Sequence, residues 1–194
     1  KGGLLGVTSG LMEVDKILNG SREGRLELIA ARPAMGKTGY MCQEILALAE
    51  AGLPVVVGSI EMTAVELLGR LATAKSGIEN DKLEGKRQLT TEEYQKWKDT
   101  LRYITTLPIH INDSSTQSVR SLRAFARRII KKYEALNGKF VPTEIRKCAI
   151  AKILVDYIQI MESDSENANL IREQQVSRMV RGLKSMAKSL RVPV

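Results

Sequence analysis

Ala31-Arg32-Pro33-Ala34-Met35-Gly36-Lys37-Thr38 is the stretch whose reading decides the fold. Leu26 to Ala31, an apolar run of strand length, leads into it, and a segment of helical period from about Thr38 to Glu50 follows, closed by Gly52 and Pro54. The octet matches G-x-x-x-x-G-K-[ST] except that Ala31 stands at the first glycine position. A strand–loop–helix of this kind turns successive backbone N–H groups inward and ends on a helix N-terminus, which makes a cradle for phosphates. In such a loop Lys37 reaches the β- and γ-phosphates as a point charge and the Thr38 hydroxyl ligates Mg²⁺. Gly36 is needed where a Cβ would hold the backbone away from the phosphates. The loop therefore predicts a bound nucleoside triphosphate, ATP or another NTP, together with Mg²⁺. It leaves the base unspecified.

Working outward, a phosphate loop needs a carboxylate for the metal at the end of a neighbouring apolar strand. Ala151-Lys152-Ile153-Leu154-Val155-Asp156 supplies one in the Walker B arrangement, with Asp156 as the metal-holding acid. Hydrolysis also needs a group to position or deprotonate the attacking water. Glu61 follows the apolar strand Val55 to Ile60, expected beside the phosphate-loop strand, and should lie at the carboxyl edge where open α/β sheets bind ligands. Spacing alone leaves Glu61 open between a general base and a surface residue beginning a loop.

Elsewhere, strand-length apolar runs alternate with segments of helical period, the pattern of an α/β protein with a mostly parallel sheet flanked by helices. A helix is expected near Ala64 to Lys75, and Thr90 with Glu93 forms a capping box for another running to about Tyr103. Leu107 to Asn112 reads as a strand, and Ser118 to Leu136 as a helix burying Leu122, Phe125, Ala126, Ile129, Ile130 and Tyr133, stopped by Asn137-Gly138. A fourth strand lies within Ile150 to Ile160. The last helix, about Leu170 to Leu190, carries Val176, Met179, Val180, Leu183, Met186, Ala187 and Leu190 on one face. Val192-Pro193-Val194 begins a further strand, so the expectation is a single domain spanning 1–194, incomplete at its C-terminus and cut from a longer chain.

Composition bounds the function. At 194 residues, 43% hydrophobic and 27% charged, the chain has the make-up of an ordinary globular domain, and no apolar run reaches the length of a membrane span. Two cysteines, Cys42 and Cys148, are too few for a disulfide framework or a zinc knuckle and suit reduced thiols in the cytoplasm. One histidine, His110, argues against a His-based metal site or a Ser-His-Asp triad; alternating with Ile109 and Ile111, it reads as structural. The net charge of +8 suits a polyanionic partner without proving one.

The motifs together resemble those of DnaB-type replicative helicases. Ala31 to Thr38, Ser59-Ile60-Glu61-Met62 and Asp156-Tyr157-Ile158-Gln159-Ile160-Met161 follow that family's order and spacing. So do Gly6-Val7-Thr8-Ser9-Gly10 through Asp15 to Asn19-Gly20, and Ser177-Arg178 through Leu183-Lys184 to Ala187-Lys188. In that family the first loop position is commonly Ala, which accounts for Ala31. The resemblance implies a RecA-like ATPase domain in which Lys37 and Thr38 are the Walker A pair, Glu61 the catalytic glutamate and Asp156 the Walker B acid. It puts Arg32 near the phosphates and makes Gln159 a sensor of nucleotide state. It further implies a ring-shaped homo-hexamer, single-stranded DNA as the track, primase and a helicase loader as partners, and a bacterial or phage source. The family's DNA-gripping loops, arginine finger and primase-docking domain have no counterpart within these residues.

Other readings share some of these residues. Another RecA-like DNA-dependent ATPase such as a recombination factor would keep the phosphate loop and acids. A small-molecule kinase would want an arginine-rich lid and no glutamate after the second strand. A nucleotide-gated assembly module would bind without unwinding. The helix from Ser118 places Arg120, Arg123, Arg127, Arg128, Lys131 and Lys132 opposite its apolar stripe, and a solvated amphipathic face explains this better than a DNA-binding surface.

Overall fold

The computed structural model describes residues 3–32, 35–135, 150–156 and 171–194. Its spine is a parallel sheet in which β1 (Val55–Ser59) lies between β2 (Ile109–Asn112) and β3 (Lys152–Asp156), with Val56 opposite His110 on one side and Ile153 on the other. All five β1 residues are buried, as a strand covered on both faces requires. Side chains of a strand alternate between faces, and the core divides accordingly. Val55, Val57 and Leu154 face α2 (Lys37–Glu50), α3 (Ala64–Ser76) and α5 (Thr91–Ile104), packing with Ile45, Leu48, Leu67, Leu71 and Ile104. Val56 and Ile153 face α6 (Val119–Ala135) and α7 (Arg172–Leu190), packing with Leu122, Ala126, Met179, Leu183 and Met186. The remaining helices, α1 (Met12–Leu18) and α4 (Asn80–Leu83), bury no residue.

Most expected elements are present within a residue or two. The Thr90–Glu93 capping box is formed, and a second one, Thr63 with Glu66, opens α3. Leu122, Ala126 and Tyr133 of α6 are buried and Phe125, Ile129 and Ile130 are partly so. Cys148, Leu136 with the Asn137-Gly138 stop, and residues 157–170 lie outside the described residues. The short α1 had no counterpart in the sequence reading. Its turn is tied by Asp15, whose carboxylate accepts bonds from the Ser9 amide (2.7 Å), the Ser9 hydroxyl (2.8 Å) and the Thr8 hydroxyl (2.5 Å).

Two expectations need correction. Leu26 to Ala31 forms no regular strand. Its sheet partner is Val194, which accepts from the Glu27 amide (2.8 Å) and donates to the Arg25 carbonyl (3.0 Å), and the pairing reaches no further. Pro193 accepts from the Ile153 amide (3.0 Å), so Val192–Val194 sits between β3 and the phosphate-loop segment. Hence β1, which leads to Glu61, is not beside that segment: β3 and Val192–Val194 intervene. Parallel strands joined by helical crossovers need not be spatial neighbours in chain order.

Glycine at position 58 has a local cause. A Cβ there would run into the side-chain oxygen of Gln117, a fully buried residue whose amide nitrogen donates to the Asn112 carbonyl (2.9 Å). The close approach lets the loop after β2 cover the carboxyl end of β1.

Candidate nucleotide site

The phosphate loop meets α2 at Gly36, which caps the helix in the left-handed conformation (φ 86°). Among the described residues no atom lies within 4 Å of the place a Cβ would occupy, and that φ value alone already calls for glycine. The α3 and α5 helices close their N-termini with capping boxes. The α2 helix has neither a capping side chain nor an acidic residue in its first turn, so the positive end of its dipole is not offset by a carboxylate of its own and favours an anion. Lys37 opens the helix and is half-buried, whereas Ala31, Arg32 and Met35 are exposed on the loop, with the Met35 amide bonded to the Arg32 carbonyl (3.3 Å). Pro33, Ala34 and Gln159 lie outside the described residues.

Thr38 and Asp156 come from positions 118 residues apart in the chain, and the Thr38 hydroxyl donates to the Asp156 carboxylate at 3.0 Å. Asp156 ends β3 and is buried (6% exposed). Hydroxyl and carboxylate oxygens are the hard donors that Mg²⁺ takes alongside phosphate oxygens, so the pair fits that ion. Glu61 reaches the same edge by another route. Ser59 pairs with Asp156 in the sheet, the Ile60 amide donates to the Asp156 carbonyl (3.1 Å), and Glu61 follows, exposed. Its turn is braced twice: the Ser59 hydroxyl donates to the Met62 carbonyl (2.6 Å), and the Ala64 amide donates to Asp113 past β2 (2.8 Å). Lys37, Thr38, Glu61 and Asp156 therefore share the carboxyl edge of the sheet, whereas nothing further in the structure bears on Arg32.

Beneath the site a cleft of about 350 Å³ runs between Leu28–Ala31 and Leu154–Asp156, ahead of Val194. Its walls are mainly apolar, including Leu26, Leu28, Val176 and Leu183, while Lys37 and Asp156 also border it. Leu28 and Ile29 are exposed, 63% and 54%. Such a lining suits chain rather than triphosphate.

One group of residues escaped the sequence reading. Lys152, on the same face of β3 as Asp156, is buried with Glu44 of α2 and with Glu27 and Ser21. A lysine within an apolar strand run was the available signal, because a buried ammonium needs partners.

Fold and site together define a class, a RecA-like P-loop nucleotide-binding domain. Residues 6–194 match the family model described as DnaB-like helicase C terminal domain, and the chain belongs to that family. It is 32% identical over its whole length to the replicative DNA helicase DnaB of Rhodothermus marinus, of which it spans 19%. The solved structure of a DnaB-like replicative helicase, described with its interactions with primase, superposes at a TM-score of 0.82 with 28% identity, covering 99% of this chain and 43% of that one. A second solved structure, described as an ATPase domain, superposes at 0.83 with 29% identity, covering all of this chain and 63% of the other. The chain is thus similar to a part of each relative. Among the described residues, no helix is long and apolar enough to cross a membrane.

Proposed function

We propose that this chain is the ATP-hydrolysing motor domain of a replicative DNA helicase, one that translocates on single-stranded DNA and unwinds duplex at the fork. The observation that supports this best is the meeting of Thr38 and Asp156 at 3.0 Å, beside a helix N-terminus that has no side-chain cap. Backbone N–H groups of the loop formed by Ala31, Arg32, Pro33, Ala34, Met35, Gly36 and Lys37 cradle the phosphates, Pro33 contributing none, and the Lys37 ammonium neutralises the β- and γ-oxygens. Thr38 and Asp156 would hold Mg²⁺, which would supply neutralisation of the charge that develops on the phosphates. Glu61 accepts a proton from the attacking water, and its braced turn keeps the carboxylate at the sheet edge. Gln159, three residues past Asp156, reports nucleotide state. The helicase named in the first relative and the primase partner of the solved relative support single-stranded DNA and primase as partners. We extend the reading to a homo-hexameric ring, a helicase loader and a cytoplasmic location. The recombination-factor reading is not favoured, since the family matched is that of DnaB-like helicases.

The test is a pair of variants in the complete protein. Lys37→Ala should abolish tight ATP binding, and retained affinity would remove the phosphate-loop assignment. Glu61→Gln should bind ATP normally while turnover falls by about 10²–10⁴-fold. Undiminished turnover would refute its role as base.

A further inference from the structure

The Lys152 ammonium donates to Glu44 Oε1 (2.6 Å), Glu27 Oε2 (2.6 Å) and the Ser21 hydroxyl oxygen (2.7 Å), so all three of its N–H groups are matched. Ser21 in turn donates to Glu27 (2.8 Å). Lys152 is 3% exposed and Glu44 is not exposed at all. Desolvation of this size makes an ion pair a poor source of stability, and aliphatic side chains of similar volume commonly hold such a place as well or better. What aliphatic contacts lack is direction, because burial is indifferent to small slides between packed elements. The position of the cluster gives direction a use. Lys152 and Asp156 are the first and last residues of β3, four apart on one face of the strand and about 13 Å along it. Glu44 and Thr38 are six apart on α2, about 9 Å along the helix. The strand and the helix are thus joined by polar bonds at two separated points, Lys152–Glu44 and Asp156–Thr38. Two such points set the register of β3 against α2, which one point cannot do. Glu27 adds the third wall, four residues before Ala31 on the segment that carries the phosphate loop.

We propose that Lys152, with Glu44 and Glu27, is a positioning cluster that sets the separation of Thr38 and Asp156, and through it the binding of Mg²⁺-nucleotide. This rests on the reading of Thr38 and Asp156 as the metal-holding pair. Burial works against charge on both partners of the buried pair. On Glu44 it prevails and raises the carboxyl above its ordinary range, while on Lys152 the adjoining Glu44 and Glu27 outweigh it and hold the ammonium firmly protonated. None of these residues touches nucleotide in this account. They act by holding those that do.

The readout is equilibrium binding of a fluorescent ATP analogue to the complete protein, with and without Mg²⁺, alongside thermal melting. Removing both charges of the fully buried pair with Lys152→Met/Glu44→Gln leaves only Glu27 without its cation, and that carboxylate is 16% exposed and still bonded by the Ser21 hydroxyl, so the fold should persist. The cluster predicts unchanged affinity without Mg²⁺ and a gain on adding Mg²⁺ that is smaller by about 10-fold. Glu27→Gln, which keeps the buried pair, should shift the gain in the same direction by less, and it decides the matter if the double variant does not fold. A folded variant that retains the parent's full Mg²⁺ gain overturns the proposal, since a purely structural cluster would change melting alone. Asp156→Asn separates the two levels of inference. If it keeps the Mg²⁺ gain, the metal-site reading itself fails; if it loses the gain while the cluster variants keep it, only the positioning role fails.

Discussion

Lys37 and Thr38 were legible as residues because a phosphate loop is a local device: eight consecutive positions carry the amides, the charge and the hydroxyl. Asp156 and Glu61 were legible only as strand-ending acids, and it took the sheet to bring them to one edge. Lys152 was not read at all, because its partners come from three separate stretches of chain. Two further residues make predictions of their own. His110 bonds Tyr133 (2.9 Å), and burial, then the charge of Lys132, hold its imidazole below the ordinary 6.5. The folded state therefore resists its protonation more than the unfolded chain does. Its contribution to stability is full above about pH 6.5 and is lost as acidification approaches the lowered folded value. Melting measured across that range should fall less steeply with acid in His110→Gln than in the parent; equal slopes would contradict the shift. Cys42 is 2% exposed, and burial pushes its thiol up to about 11. In a Cys148→Ser background it should react with an aromatic disulfide reagent only on unfolding, and rapid reaction of the folded protein would show the site open.

At the scale of elements, helices were easier to read than strands. Capping boxes and 3.6-residue periodicity are local signals, and they located α5 and α6. Strand neighbours are set by crossovers, and so the place of β1 between β2 and β3 was not visible in advance. The Thr63 cap serves both stability and the site, since it starts α3 directly after the Glu61 turn. Thr63→Ala and Thr90→Ala should each lower unfolding free energy by about 1 kcal/mol in chemical denaturation. Values near zero would mean that the boxes add nothing in solution. On α6 the basic face divides. Arg123 is half-buried and reaches the Gly182 carbonyl of α7, whereas Arg127 and Arg128 are exposed, with Arg128 over the Phe125 ring at 5.5 Å. Arg127→Gln/Arg128→Gln should leave DNA affinity within about twofold, as expected of a solvated face. A large drop with a shallower salt dependence would make α6 a DNA contact.

For the whole molecule, the division into two packed layers about a parallel sheet followed from alternating apolar runs, and the family followed from three short motifs in order. What composition could not supply was the partner: a net charge of +8 permits a nucleic acid but selects none. Only the chemistry of coupling can do so. If nucleotide hydrolysis at Lys37, Thr38, Glu61 and Asp156 drives movement along a strand, occupancy of the track must change the rate at the site. The most direct measurement is steady-state ATP hydrolysis by the complete protein with and without single-stranded DNA, with Lys37→Ala as the blank. Stimulation by DNA, absent in Lys37→Ala, is the predicted result. Hydrolysis by the parent that is indifferent to DNA would contradict the motor while leaving the nucleotide site in place.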